Sequence, residues 1–554
     1  MKKITASLFV AMSAMTLMTS CIEETFPQSS YVTSEQAAVA PGAYDNFVDA
    51  ITSTLCGQFV YAGSDNRPYD IGLPSFYIQW DIMGQDLVQT YSNWWSAWYE
   101  SKYLGPSYAY TQLPWTYFYG WIKSCNDVIN LAGEEPNDSQ VTGAGIAYCM
   151  RAYYYLYLSQ MYATSPYTVK PEAETIPIVT ETTMDLAHNP RAKNSDMMAF
   201  ILSDLDKAEK YLADYKRADV YTPDITVVYG IKARAYLTMG EWAKAAEYAQ
   251  KAQKGYTIMT EDDYCDWETG FNTPNASWMF GMTYKSDDPN ITENDADSSW
   301  GSVMCMEISP ETSACGYSAN YGQFLVMDRH LYETIPASDF RKKCYLDFAL
   351  DDMSDEDVLV ALQAYTNHPD WFLQHRTNGN YNGLGGIELK FRTAGGEAGR
   401  ANQYIGFVVA VPIMRVEEMV LIEAEATGML NEAEGIAKLT AFAKTRDADY
   451  EYGKHTENYG KVKSTDFQNE IWWQRRVEFW GEGLATQDIK RLQKGIHRSY
   501  PGTNHLDGYR WNTDETPQWM NLCIVQTETN YNYSCTNNVD PIAPEGNDPE
   551  SAQF

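Results

Sequence analysis

A chain of 554 residues, 44% hydrophobic and 21% charged, has ordinary globular composition and enough length to bury a large core. Its net charge of −33, from 74 acidic against 41 basic residues, argues against a nucleic-acid backbone or an anionic lipid surface as partner and favours an uncharged or cationic ligand. The 42 Tyr and 16 Trp are more rings than helix seams require, so some should face solvent.

The chain opens with two lysines, an apolar run from Ile4 to Met18 and small residues before Cys21. That pattern is a secretory signal, too short to span a membrane permanently. A cysteine directly after it resembles a bacterial lipoprotein signal in which Cys21 is lipidated, and several acyl chains on one residue would anchor a protein stably. The acidic residues that follow, IEET, resemble the signal for the outer face of an outer membrane. Residues 1–20 therefore read as signal peptide, 21–40 as a lipidated tether and 41–554 as one domain. The remaining nine cysteines, from Cys56 to Cys535, contain no CxxC pair and are odd in number, so buried free thiols are expected rather than a disulfide framework or a zinc site.

After Pro41 a helix is predicted through Ala43, Phe47, Ala50 and Ile51. Residues 56–114, rich in Gly, Pro, Asn and Trp, read as a long ordered loop with short helical pieces. Helical spacing returns over 115–131 and 144–163, and then in a helix capped by Ser195 with Met198, Ile201, Leu205, Ala208 and Leu212 on one face. In residues 226–253, Ala233, Tyr236, Leu237 and Gly240 follow i, i+3, i+4, i+7 spacing, and Trp242, Ala245, Ala246, Ala249 and Ala252 repeat it. The glycine suits a left-handed helix end, so the two runs should fold back as a hairpin of the tetratricopeptide kind. One hairpin cannot bury its own apolar faces and needs stacked neighbours. Residues 255–411 break this pattern and read as one large irregular insertion. Helices resume at PIMRVEEMVLIEAEATG and at NEAEGIAKLTAFAKTR, where Asn431 and Glu434 suggest a capping box. A second box, Thr465 with Gln468, opens a helix whose Trp473, Val477, Trp480 and Leu484 should line one face. The fold class is mainly α, with helical hairpins forming a scaffold for long loops.

A neutral sugar offers flat C–H faces and a rim of hydroxyls, so its receptor needs exposed rings with amides or carboxylates at their edges. Two loops supply that composition. The first holds Tyr91, Asn93, Trp94, Trp95 and Trp98, with Arg67, Asp81 and Asp86 nearby in sequence; the second, inside the insertion, holds Trp278, Trp300, Tyr317 and Tyr321. Adjacent Trp94 and Trp95 cannot both face one direction, and Asn93, Trp95 and Trp98 rank first as ligand contacts. Glu417 with Glu418 and Glu423 with Glu425 read as exposed or ion-paired rather than catalytic, with Arg415 able to pair with Glu418 at i, i+3. No cofactor is expected. The acidic loop from Asp287 to Ser299 could hold a structural calcium, but it lacks the EF-hand spacing and a solvated loop is favoured.

Four stretches carry a resemblance to the SusD/RagB family of outer-membrane nutrient-binding lipoproteins: MRAYYYLYL from Met150 followed by IPIV, the hairpin 226–253, PIMRVEEMVLIEAEA with Thr445 and Arg446 closing its partner helix, and RRVEFWGEG followed by QDIKR, then WMNLCIVQTETNYN. The resemblance spans Cys21 to about residue 532. It implies a lipid-anchored protein on the cell exterior that is not an enzyme. Such a protein would sit as a lid on a SusC-type TonB-dependent barrel and capture an oligosaccharide, or less often a peptide, for import. In family members the segment around Trp94 lies on the ligand face. The competing readings are a peptide receptor of the same fold and a secreted helical glycoside hydrolase, which would need two carboxylates, such as Asp81 and Asp86, across a cleft.

Overall fold

The computed structural model describes residues 42–61, 67–292, 298–311, 315–378, 383–552 and 554. The signal peptide, Cys21 and the tether lie outside the described residues. No helix among those described is long and apolar enough to cross a membrane.

The scaffold is a run of antiparallel helices, each packed on the next: α3 (Ala109–Ala132), α4 (Val141–Tyr162), α5 (Asn194–Tyr211), α6 (Ile225–Met239), α7 (Trp242–Ala252), α8 (Val416–Leu430) and α9 (Glu432–Ala443). Helices α1 (Ala43–Ser53) and α2 (Leu73–Ile82) precede it, and α10 (Asp466–Glu478) and α11 (Ala485–Arg491) follow. The turn between α6 and α7 forms as the glycine requires. Gly240 has φ 71° and ψ 20°, and the amides of Gly240 and Glu241 donate to the Leu237 and Tyr236 carbonyls. The Asp224 carboxylate starts α6 by accepting from the amides of Thr226 and Val227. Buried Ala245, Ala249 and Ala252 let α7 approach both α6 and α8, while Tyr236 stacks on Tyr248 with ring centroids 5.5 Å apart. Every residue from Met150 to Leu158 is buried, because α4 is enclosed by α3, α5 and α6.

Helices α7 and α8 are neighbours in the stack although the insertion separates them in sequence. Among the described residues six strands pair two by two, β1 (Leu87–Gln89) with β5 (Leu325–Met327), β2 (Glu174–Pro177) with β3 (Arg191–Lys193), and β4 (Trp278–Thr283) with β6 (Ala410–Arg415). The last pair closes the insertion at its base, antiparallel, with Trp278 opposite Arg415 and Thr283 opposite Ala410. Its far side packs Phe324, Val326, Leu346, Leu362 and Ile387 against Val88 from outside the insertion, all fully buried.

Three details differ from expectation. Helix α5 starts at Asn194, so Ser195 lies in its first turn and does not cap it. Asn431 precedes α9 without bonding a backbone amide; its side-chain amide reaches the Glu434 carboxylate instead, at 3.4 Å. Helix α10 ends at Glu478, leaving Trp480 and Leu484 in the turn beyond it; the Thr465–Gln468 capping box at its start forms as expected.

The carboxylates of α8 are structural. Arg415 ends β6 rather than lying in the helix, so it pairs not with Glu418 but with Glu417, Glu478 and Glu482, at 3.0, 3.1 and 2.7 Å. Glu478 also receives Arg341 at 3.2 Å and Arg446 at 3.1 Å, and its carboxyl is held well below the usual range by these guanidiniums despite its burial. Glu418 pairs with Arg234 at 2.5 Å, Glu425 with Arg491 at 2.5 Å and Glu423 with Lys438 at 2.7 Å. Among the described residues no group of three or more His, Cys, Asp or Glu is placed to hold a metal ion. Residues 293–297 of the acidic loop lie outside them.

Candidate ligand-binding surface

Strand β1 (Leu87–Gln89) pairs antiparallel with β5 (Leu325–Met327), Leu87 opposite Met327 and Gln89 opposite Leu325. The ladder is extended by Thr90, whose amide and hydroxyl both donate to the Phe324 carbonyl at 3.3 and 2.8 Å. Two loops distant in sequence are thereby held side by side: 91–95, leaving β1, and 317–323, entering β5.

Each loop is fixed by its own polar side chains. Asn93 accepts the Trp95 amide on Oδ1 at 2.8 Å, while its own amide donates to Ser96 Oγ at 2.7 Å, an Asx turn that starts the helical turn Ser96–Tyr99. Across the gap the Trp94 amide donates to the Tyr317 hydroxyl at 3.2 Å, and that hydroxyl donates to Gln323 Oε1. The Tyr317 amide donates to Ser302 Oγ at 2.7 Å. Gly322, at φ 59°, ends the turn Tyr317–Tyr321 in the left-handed region.

This arrangement divides the aromatic residues into two rows. Tyr91, Trp94 and Tyr321 are 45%, 41% and 47% exposed and form a ridge of large rings on the surface. Beneath them Trp95 and Trp98 are fully buried, with ring centroids 5.6 Å apart; Trp98 meets Tyr69 edge-on at 5.7 Å and Tyr110 at 5.1 Å. Tyr69 also meets Trp94 at 6.0 Å and accepts from Arg67 Nη1 at 3.0 Å, so it joins the buried row to the exposed one. Buried Tyr317 lies 5.6 Å from Tyr321, centroid to centroid, and supports it.

Several residues expected at a ligand are therefore placed elsewhere. Trp95 and Trp98 present no face to solvent, because the helical turn begun by Asn93 directs both rings onto Tyr69. Trp278 is buried in β4, and Trp300 is buried edge-on between Tyr77 at 6.2 Å and Phe391 at 5.0 Å. Asp81 is buried in α2, where its carboxylate accepts from the amides of Gly483 and Ala485, each at 3.1 Å; burial pushes its pKa up to about 7. Asp86 pairs with Arg476 through two bonds of 2.9 and 2.6 Å. Both acids line a cavity of about 20 Å³ among Trp472, Arg476 and Trp480, too small for a sugar, and both join the segment 81–86 to the α10–α11 region. Asn93 and Arg67 are half-buried at the edge of the ridge.

Tyr321 had a weaker signal than the tryptophans beside it in the insertion, since only the β1–β5 register shows that it stands across from Trp94. Nor did the sequence distinguish a groove of about 890 Å³ elsewhere on the protein, lined by Trp115, Tyr119, Leu186, Tyr531 and Tyr533 among others.

The stacked-helix scaffold presents exposed rings on loops held by a short ladder, and the carboxylates of α8, Asp81 and Asp86 are bonded to arginines, a lysine and backbone amides. Two family models match the sequence: one described as starch-binding and associating with outer membrane, over residues 76–237, and one described as the SusD family, over residues 364–541. The chain belongs to the SusD family. No curated protein matches it. Its fold is similar to that of a SusD-like carbohydrate binding protein from Bacteroides vulgatus, at 21% identity and a TM-score of 0.66, covering 89% of this chain and 97% of that one. It is also similar to a SusD superfamily protein from Bacteroides thetaiotaomicron, at 18% identity and a TM-score of 0.66, covering 92% and 100%. A third similar structure is surface glycan-binding protein A from Bacteroides thetaiotaomicron in complex with laminarihexaose, at 18% identity and a TM-score of 0.61, covering 88% and 97%.

Proposed function

We propose that the protein captures a neutral oligosaccharide or polysaccharide at the outer face of the outer membrane and passes it to a SusC-like TonB-dependent barrel, tethered by lipid on Cys21. The observation that carries this reading is the ridge of Tyr91, Trp94 and Tyr321, three large exposed rings on two loops locked together by the β1–β5 ladder. Arg67 lies at its edge beside Tyr69 and supplies a polar partner for sugar hydroxyls. The family description as starch-binding and associating with outer membrane supports the ligand class and the location, and the glycan complex of a protein of the same fold agrees with it.

Covering about 80 Å² of one ring contributes on the order of 2 kcal/mol at about 25 cal/mol per Å². Three rings give about 6 kcal/mol, or about 40 µM, before ordering costs, which weaken the affinity toward about mM. Weak, reversible capture suits a protein that hands its ligand on. Native affinity electrophoresis against a panel of neutral polysaccharides tests the proposal. Retardation by at least one of them, with no new reducing ends, is expected. Migration unaffected by every polysaccharide, with binding to cationic peptides instead, would replace the glycan reading by a peptide one.

A further inference from the structure

We infer that Cys265 and Cys344 are a disulfide-forming pair that ties down the half of the insertion carrying Tyr317 and Tyr321. Their sulfurs lie 3.7 Å apart although the residues are 79 positions apart in sequence. A disulfide needs about 2.05 Å, and the two sulfurs are already in contact across the docked turns. Cys265 follows the helical turn Glu261–Tyr264, and Cys344 ends the 3₁₀ turn Phe340–Cys344. The two turns are already docked. Each sulfur reaches a carbonyl of the other turn, Cys265 that of Phe340 at 3.5 Å and Cys344 that of Tyr264 at 3.9 Å. The rings of Tyr264 and Phe340 meet at 5.6 Å, and Lys343 pairs with Glu261 at 2.5 Å.

Cys265 is partly exposed, while Cys344 is buried and its thiol is held well above the usual range by the bond to Cys265 and by burial. Cys265 is therefore the sulfur that an external disulfide reaches first. Its thiolate attacks a small-molecule or oxidoreductase disulfide, R–S–S–R, forming a mixed disulfide and releasing one RS⁻, which takes up a proton as RSH. Cys344 loses its proton and displaces the second RS⁻, so that two thiols are oxidised to one cystine and one external disulfide is reduced to two thiols. The closed loop runs from residue 266 to 343 and includes Tyr317 and Tyr321, so oxidation restrains the segment that forms one side of the aromatic ridge.

Incubating the folded protein with oxidised glutathione, alkylating in denaturant and digesting without reductant tests the pair. The expected product is a cross-linked peptide joining Cys265 to Cys344, two hydrogens lighter than the sum of its parts, with Cys125, Cys149 and Cys305 recovered alkylated. The oxidised protein should also melt several degrees above the reduced one, and Cys265→Ser should remove that difference. Recovery of Cys265 and Cys344 as separate alkylated peptides, or a melting difference that persists in Cys265→Ser, would overturn the assignment.

Discussion

Replacing Trp98 by alanine removes a ring packed on Tyr69 and Tyr110 and leaves a cavity in a closed cluster, so chemical denaturation should show a loss of about 3–5 kcal/mol. The same substitution at Trp94, whose ring is 41% exposed, should change stability far less. The sequence establishes that adjacent Trp94 and Trp95 cannot both face one way but not which faces out, because both are tryptophan and the deciding residue, Asn93, acts through an Asx turn rather than through periodicity. Glu388 supplies a pH dependence of its own. It is fully buried, accepts the Phe391 amide at 3.0 Å, and has its pKa raised from 4.5 to about 8, chiefly by burial. A carboxyl with a raised folded pKa contributes stability below pH 4.5, and that contribution is lost as pH rises through 8. Glu388→Gln stays neutral throughout. Urea titrations at pH 5 and pH 8 should therefore show the wild type losing stability relative to the variant, by on the order of a few kcal/mol.

Between elements, α8 and α9 approach closely where Gly428 meets Gly435. A Cβ built on Gly435 would lie 2.2 Å from Gly428 Cα, and one on Gly428 would lie 2.1 Å from the Phe467 ring. Gly435→Ala must push two helix backbones apart and should cost about 3 kcal/mol or more in thermal or denaturant unfolding. Both glycines sit inside helical patterns whose spacing marked the helices correctly, but nothing in that spacing showed that the helices touch there. The glutamates of α8 were likewise legible as exposed or ion-paired rather than catalytic, with Arg415 standing near them in sequence. Their actual partners were not, because Arg415 belongs to a strand and Glu478 to a helix more than sixty residues on. Glu478→Gln leaves the fully buried Arg341, Arg415 and Arg446 short of one negative charge and should cost about 3–5 kcal/mol, read by denaturant melts.

In the molecule as a whole, the helical stack was readable from 3.6-residue spacing and from Gly240, and the family resemblance placed those helices in one order. The insertion was recognisable only as a break in that pattern. Its closure by β4 and β6, and the β1–β5 ladder that sets Tyr321 beside Trp94, depend on short strands pairing across long sequence distances, which local patterns do not encode. Composition pointed to exposed rings on two loops, while burial takes Trp95 and Trp98 out of the candidate surface and leaves Tyr91, Trp94 and Tyr321 exposed on it. Calorimetric titration of a polysaccharide that the wild type retains, against Trp94→Ala and Tyr321→Ala, addresses that surface directly. Each variant should melt close to the wild type and bind about 30-fold more weakly, the equivalent of about 2 kcal/mol per ring. Unchanged affinity in both folded variants would contradict the aromatic ridge as the ligand site.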